Sequence, residues 1–382
     1  MPLKILVSAG EASGDLYAAR LVERLRLLWP DAHFFGCTGP RMRDAGVHTV
    51  VDTASLAVVG LVEVVSHIPR IYGEYRKLLA AAERERPDLA ILTDSPDFHL
   101  RVARKLKAAG VPVIYLVAPQ VWAWRRGRLP LMRRVIDRLL CIFPFEQDFF
   151  RQNGIPATYI GHPLAGLVAP RYTRAEFFRK HRLPPGRPLI TVLPGSRRSE
   201  AARHLGPLLD AVERLYRDRA ASFLLPASAT TGAVFFRERI SRAPIQVIED
   251  ETWDALAHAD LALAASGTVT VEAALLGTPL VAFYRVTGLS WLLGKVLVRT
   301  PYYCMVNLVA GRKVVPELMQ SEMTGPRLAE EARRLLDDQS ARSLMKSDLA
   351  EVAARLRTDT DPMDRAAALI EDLRKEVDVI HV

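Results

Sequence analysis

Ser266, Gly267 and Thr268 put two hydroxyls and a bare backbone at one point of the chain, and Glu272 follows one helical turn after Thr268. A helix entrance of this kind offers unpaired amide N–H groups and the positive helix end to a phosphate. A carboxylate on the same helical face can accept the two hydroxyls of a ribose whose diphosphate rests on the turn. An ordinary turn with a Ser or Thr cap and a solvated Glu is the alternative. PGSRRSE, Pro194 to Glu200, has the same strand-turn-helix character with cations added. Its Gly195 and Ser196 offer backbone amides, and Arg197 can fork onto phosphate oxygens as a lysine cannot.

A second group of residues is acidic. DSPDFH, Asp94 to His99, carries two carboxylates and an imidazole just after the apolar run Leu89 to Thr93. The carboxyl end of a parallel strand is where doubly wound sheets bind substrates. Asp94, beside a Pro-stiffened turn, is the better placed general base, and Asp97 suits the cap of the helix that follows. GEASGD, Gly10 to Asp15, sits between the first strand and the first helix but is not GxGxxG. Its acids, Glu11 and Asp15, would repel a diphosphate, so Glu11, Ser13 and Gly14 read as facing a hydroxyl-bearing acceptor, with plain capping as the alternative. His162, in YIGHPL, reads either as a ligand contact or as a buried structural imidazole.

These residues need strands and helices to position them. Short apolar runs at Leu3 to Ser8, Phe34 to Gly36, Leu89 to Thr93, Val113 to Val117 and Leu139 to Phe143 alternate with helical patterns, which is the signature of a parallel α/β sheet. The pattern loosens over Ala165 to Arg187 and then restarts at Leu189 to Leu193, Phe223 to Pro226, Gln246 to Ile248, Leu261 to Ala265 and Leu280 to Tyr284. The chain therefore divides into residues 1–168 and 169–354, each a Rossmann-like α/β domain, and beyond Thr324 the sequence is charged amphipathic helix to the end, apart from a break near Asp361 and Pro362. Leu56 to Leu79 is apolar at its start and basic at its end, and Pro69 is expected to split it into two helices. It reads as a core helix pair or as a surface lying in a membrane interface, and Trp291 to Val298 is a second candidate for the latter. Trp122 and Trp124 stand among Arg125, Arg126, Arg128, Arg133 and Arg134. Such a stretch suits single-stranded nucleic acid, a lipid headgroup region, or a solvated face over buried indoles.

Composition narrows the function. At 382 residues and 49% hydrophobic, the chain buries a large core and is not disordered. The net charge of +9 points to an anionic partner: nucleic acid, a phosphorylated substrate or an acidic membrane surface. No cleaved leader and no bilayer-spanning run is expected. Cys37, Cys141 and Cys304 show no metal-ligand spacing and suit buried thiols in a reducing cytoplasm.

Together the motifs resemble one family, lipid-A-disaccharide synthase. The blocks that carry the resemblance are SAGEASGD at Ser8, GPRM at Gly39, DSPDF at Asp94, APQVWAWR at Ala118, FPFE at Phe143, GHP at Gly161, LPGSR with Glu200, SGT with Glu272 and NLVAGR at Asn307. The resemblance implies a GT-B fold, two Rossmann-like domains with parallel sheets facing across a cleft, the first taking the acceptor and facing the membrane, the second holding the UDP-sugar. It implies an inverting glycosyltransferase that joins UDP-2,3-diacylglucosamine to 2,3-diacylglucosamine 1-phosphate through a β-1,6 bond and releases UDP. It implies no metal and no cofactor, a cytoplasmic protein peripheral to the anionic inner membrane, and C-terminal helices from about 355 to 382 that return to the first domain or are exchanged in a homodimer. By matching position, Asp94 resembles the general base, Arg197 the diphosphate contact, Glu272 the ribose contact, and Asn307 a donor-site residue, with Gln320 beside it. Asp97 and His99 fall on the acceptor side. His99 departs from the Asn expected there, which opens a second acid/base group. Two other readings stand beside this one. A UDP-N-acetylglucosamine 2-epimerase shares the architecture but needs no acyl-binding surface. A basic nucleic-acid-binding protein fits the charge, but the chain shows no recognised binding fold and its acids at strand ends would repel a phosphate backbone.

Overall fold

The computed structural model describes residues 2–56, 61–228, 230–240, 243–288, 291, 298 and 300–380, without the side chains of 61–67 and 377–380. The chain forms two compact units, Met1–Pro163 with Leu356–Val382, and Leu164–Arg355. Among the described residues the first unit holds a seven-stranded sheet of β1 (Lys4–Ala9), β2 (His33–Thr38), β3 (His48–Asp52), β4 (Leu89–Thr93), β5 (Val113–Leu116), β6 (Arg138–Cys141) and β7 (Ala157–Tyr159). Its order is β3-β2-β1-β4-β5-β6-β7, and every pairing is parallel. The second unit holds β8 (Leu189–Leu193), β9 (Ser222–Ala227), β10 (Ile245–Glu249), β11 (Leu261–Ala265), β12 (Leu280–Tyr284) and β13 (Glu317–Met319), ordered β10-β9-β8-β11-β12-β13 and also all parallel.

Both sheets reverse their strand order at the first strand, between β1 and β4 and between β8 and β11. At such a reversal the connecting helices leave on opposite faces and open a crevice at the carboxyl ends of the two strands. GEASGD and DSPDFH lie at the ends of β1 and β4, while LPGSR and SGT lie at the ends of β8 and β11. The central strands β4, β8 and β11 are buried along their whole length, as parallel strands covered by helices on both faces must be.

Several expectations are corrected. Pro69 lies inside one unbroken helix, Leu61–Glu85. A proline removes a single N–H from the helical ladder, and a helix this long keeps its other bonds. Residues 57–60 of the apolar stretch lie outside the described residues, as do 292–297 of Trp291 to Val298; Ile68 and Tyr72 of the first are exposed. Strands β3 and β13 carry no clear alternation in the sequence and come from pairing with β2 and β12. Among the described residues no helix is long and apolar enough to cross a membrane.

The last helix, Pro362–Ile380, packs on helix Ala12–Leu28 of the first unit, with Arg24 and Asp364 paired at 3.0 Å. The returning chain crosses the GHP motif, where the His162 amide donates to the Leu356 carbonyl. Gly161 has φ +94, and a Cβ there would stand 2.5 Å from Thr358 Oγ1. Gly161→Ala is therefore expected to destabilise the first unit by about 1–3 kcal/mol, the usual cost of a strained backbone; an unchanged urea midpoint would contradict this packing.

Candidate active site

In the first unit the centre of the site is Asp94. Its carboxylate accepts the Gly10 amide at 2.8 Å and the Glu11 amide at 3.1 Å, tying the loop after β1 to the end of β4. Two glycines make this approach possible. A Cβ on Gly14 would lie 1.7 Å from Asp94 Oδ2, and one on Gly10 would lie 2.1 Å from Ser95 Oγ. Asp94 and Ser95 both adopt left-handed backbone, with φ of +54 and +37. Burial, with the nearby charge of Glu11 adding to it, pushes the Asp94 carboxyl up to about 7 against the opposing loop amides. A half-buried carboxylate near neutral pKa is what a general base requires.

The other acidic residues divide. Asp15 turns away from this loop and accepts the amides of Gly39, Arg41 and Met42, so it caps the GPRM helix Pro40–Asp44. Glu11 at the end of the site loop and Ser13 in the first turn of helix Ala12–Leu28 are exposed, and Gly14 is buried against Asp94. Asp97 does not cap a helix with its side chain. The helix begins at Pro96 with Ser95 in the cap position, and Asp97 instead binds Arg125 at 2.9 and 3.1 Å and also Arg128. Arg125 in turn stacks on the exposed Trp124 at 4.3 Å. Trp122 is buried, with its indole N–H on the Glu146 carboxylate of FPFE at 3.0 Å. His99 is fully buried beneath Asp94, and His162 is buried against Phe143 and Tyr17, its pKa pushed down to about 3 by burial.

In the second unit the LPGSR turn is closed by Glu200, which reaches back to the Arg197 amide. Gly195 has φ +123, and a Cβ there would meet Glu200 Oε2 at 2.4 Å, so a side chain would open the turn. The Ser196 carbonyl accepts the hydroxyls of Thr231 at 2.7 Å and Ser228 at 3.3 Å, and Arg197 is exposed at the helix start. Across the same crevice, Gly267 begins helix Thr268–Leu275 with no side-chain cap, and Gly267 and Thr268 are exposed. Ser266 is fixed by its hydroxyl to the Tyr303 carbonyl at 2.8 Å. Glu272 is half-buried, its carboxyl raised to about 7 by burial and held by the indole of Trp253. The arrangement can take a phosphate at the open helix end and hydroxyls at Glu272.

Asn307 and Gln320 lie behind these turns. Asn307 is fully buried, and its amide is used completely, donating to Val315 O and Glu317 Oε1 and accepting the Val314 and Val315 amides. Glu317 also accepts the amides of Tyr303 and Cys304, the former being the residue that holds Ser266. Gln320, with φ +54, exchanges two 3.2 Å bonds with the Val286 backbone once its amide is oriented to satisfy both ends. Sequence reasoning missed Tyr115, Trp253 and Glu146 as partners of the site. Their signal was the need of a buried hydroxyl, indole or carboxyl for a partner, which names no partner. Among the described residues no three His, Cys, Asp or Glu side chains gather as a metal site. The three cysteines are buried free thiols. A carboxyl-selective titration of Asp94 by NMR is expected to give a midpoint near 7; the ordinary aspartate value of about 4 would contradict this environment.

Comparison with known proteins bears on which chemistry this is. UDP-GlcNAc 2-epimerase from Neisseria meningitidis, solved bound to UDP-GlcNAc, matches with a TM-score of 0.63 at 13% identity over 98% of this chain and 100% of that one. CalG4, the calicheamicin glycosyltransferase, matches with a TM-score of 0.59 at 16% identity over 97% and 98%. Likenesses this remote establish the GT-B-type α/β fold, which epimerases and glycosyltransferases share. Sequence is more specific. The family model for lipid-A-disaccharide synthetase matches residues 5–370. Lipid-A-disaccharide synthase of Solibacter usitatus (strain Ellin6076) is 68% identical over 379 residues, 99% of each chain. With its ordered motifs gathered at two strand-order reversals and these matches along its length, the chain belongs to the lipid-A-disaccharide synthase family.

Proposed function

We propose that this chain is an inverting glycosyltransferase that joins UDP-2,3-diacylglucosamine to 2,3-diacylglucosamine 1-phosphate, forming a β-1,6-linked disaccharide 1-phosphate and UDP. The observation that carries the mechanism is the Asp94 carboxylate, fixed by two loop amides at the end of β4, where burial pushes its pKa up to about 7. Asp94 accepts the proton of the acceptor 6-hydroxyl as that oxygen attacks the anomeric carbon of the donor. The bond from that carbon to the UDP oxygen breaks on the opposite face, and the configuration inverts. Negative charge then develops on the diphosphate. The open start of helix Thr268–Leu275, the Gly195 and Ser196 backbone and Arg197 are suited to receive it, and fixed donors of this kind act where charge appears. Glu272, oriented by Trp253, takes the ribose hydroxyls. Asn307 and Gln320 serve the donor side through the backbone they hold.

The first unit is the acceptor side, with Glu11 and Ser13 exposed beside Asp94. Exposed Ile68, Tyr72 and Trp124, the last stacked with Arg125, support attachment to an anionic membrane surface from the cytoplasmic side.

Asp94→Asn is expected to lower kcat by roughly 10²–10⁴, the usual worth of a general base; turnover near wild type would refute the role. Because the base works ionised, kcat/KM is expected to fall about tenfold per pH unit below pH ~7, and this acid limb should vanish in Asp94→Asn. Arg197→Ala is expected to weaken UDP binding, read by calorimetry, more than it lowers the unfolding temperature. Unchanged UDP affinity would remove Arg197 from the diphosphate site.

A further inference from the structure

The backbone of Asp94 is held by the side chains of His99 and Tyr115. The Asp94 carbonyl accepts the His99 ring at Nδ1, 2.9 Å away, and also the Tyr115 hydroxyl. A carbonyl can only accept, so Nδ1 carries the proton and Nε2 is the lone-pair nitrogen. Nε2 then accepts the Ser8 hydroxyl at 2.7 Å. Both ring nitrogens are committed, the ring is wholly buried, and Ser8 is buried with it. The bonds join three adjacent strands: Ser8 on β1, Asp94 at the end of β4, and Tyr115 on β5. They converge on the carbonyl that follows a left-handed aspartate, a conformation that non-glycine residues keep only where the surroundings hold it.

We propose that His99 and Tyr115 are positioning residues for Asp94: their two hydrogen bonds to its carbonyl fix the left-handed turn that aims the carboxylate at the Gly10 and Glu11 amides, and His99 itself transfers no proton. This inference rests on Asp94 being the base and assigns how that base is held. Burial keeps His99 neutral, its pKa pushed down to about 4, in agreement with a donor of fixed tautomer. Among the described residues the titratable groups around Asp94 include Glu11 on the loop after β1, Cys37 on β2, His99 on its own helix and Tyr115 on β5, with Asp97 and Arg128 acting on Tyr115 and Asp15 on Cys37. Burial raises both the Cys37 thiol and the Tyr115 phenol, so both stay neutral, and the charge of Glu11 adds to burial in raising Asp94.

The test compares His99→Ala, His99→Asn, Tyr115→Phe and Asp94→Asn in the full chain, with UDP-2,3-diacylglucosamine and 2,3-diacylglucosamine 1-phosphate as substrates. Steady-state kinetics are read across pH, and thermal unfolding is followed in parallel. His99→Ala and Tyr115→Phe are expected to lower kcat roughly 10- to 100-fold, the scale of a misplaced reacting group, with KM for the UDP-sugar little changed. Their acid limb should move to higher pH, because a carboxylate that slips off the loop amides loses bonds favouring its ionised form. His99→Asn should recover most of kcat, since its amide presents an N–H at the position of Nδ1. Tyr115→Phe removes a single oxygen and keeps the ring, so it separates positioning from a failure to fold. Wild-type kcat and pH limb in both His99→Ala and Tyr115→Phe, with Asp94→Asn inactive, would overturn the positioning role. His99→Asn as inactive as His99→Ala would overturn it in favour of acid/base work by the imidazole. Asp94→Asn with normal turnover would remove the base assignment, and this inference with it.

Discussion

Two amide-to-carboxylate hydrogen bonds, from Gly10 and Glu11 to Asp94, tie together the ends of β1 and β4 at the point where the first sheet reverses its strand order. Much of the first unit's local sequence serves that contact. Gly10 and Gly14 lack side chains where any Cβ would strike Asp94 or Ser95. Asp15 is drawn aside to cap the next helix, leaving Glu11 as the charge beside Asp94. The contact also balances two opposing effects on the carboxyl. Burial favours the protonated form and the amides favour the ionised one, and burial prevails far enough to bring the pKa near neutrality. A fully solvated aspartate would be too weak a base, and one without the amides would not be aimed.

In the proposed reaction the second unit meets the complementary demand, a place for negative charge, by the same economy of backbone. The turn after β8 is closed by Glu200 from its own helix, and the turn after β11 leaves its helix start uncapped. The bonds among Asn307, Glu317, Tyr303 and Ser266 carry rigidity from β13 to that turn. A buried amide with every donor and acceptor used is costly to disturb. Those bonds hold the backbone of Val314 and Val315 in place.

The architecture was legible because its punctuation is local. An apolar run, a glycine turn and a helix pattern recur through both halves, and the acids and cations that end the runs mark the carboxyl ends of strands. Asp94, Arg197 and Glu272 could be singled out on that basis. What stayed hidden depends on contacts remote in sequence or on direction. Nothing near Asp97 says that it would leave its own helix start for Arg125 and Arg128, some thirty residues on. His99 stood as a second acid/base candidate because it departs from the Asn that the family resemblance implies there, and only Ser8, 91 residues earlier, shows that its second ring nitrogen is occupied. Trp253 and Glu272, or Asn307 and Glu317, meet through the fold alone. Pro69 misled for the opposite reason: its local cost is real, but one lost bond is small within a 25-residue helix.

The proposed reaction transfers a sugar from UDP to a hydroxyl activated by Asp94. It is tested most directly by UDP release from the full chain given UDP-2,3-diacylglucosamine in detergent and excess EDTA, with and without 2,3-diacylglucosamine 1-phosphate. Release is expected to require the acceptor and to persist in EDTA. Release that is equal without acceptor would instead point to hydrolytic or epimerase-like chemistry, and no release under either condition would contradict a transferase altogether.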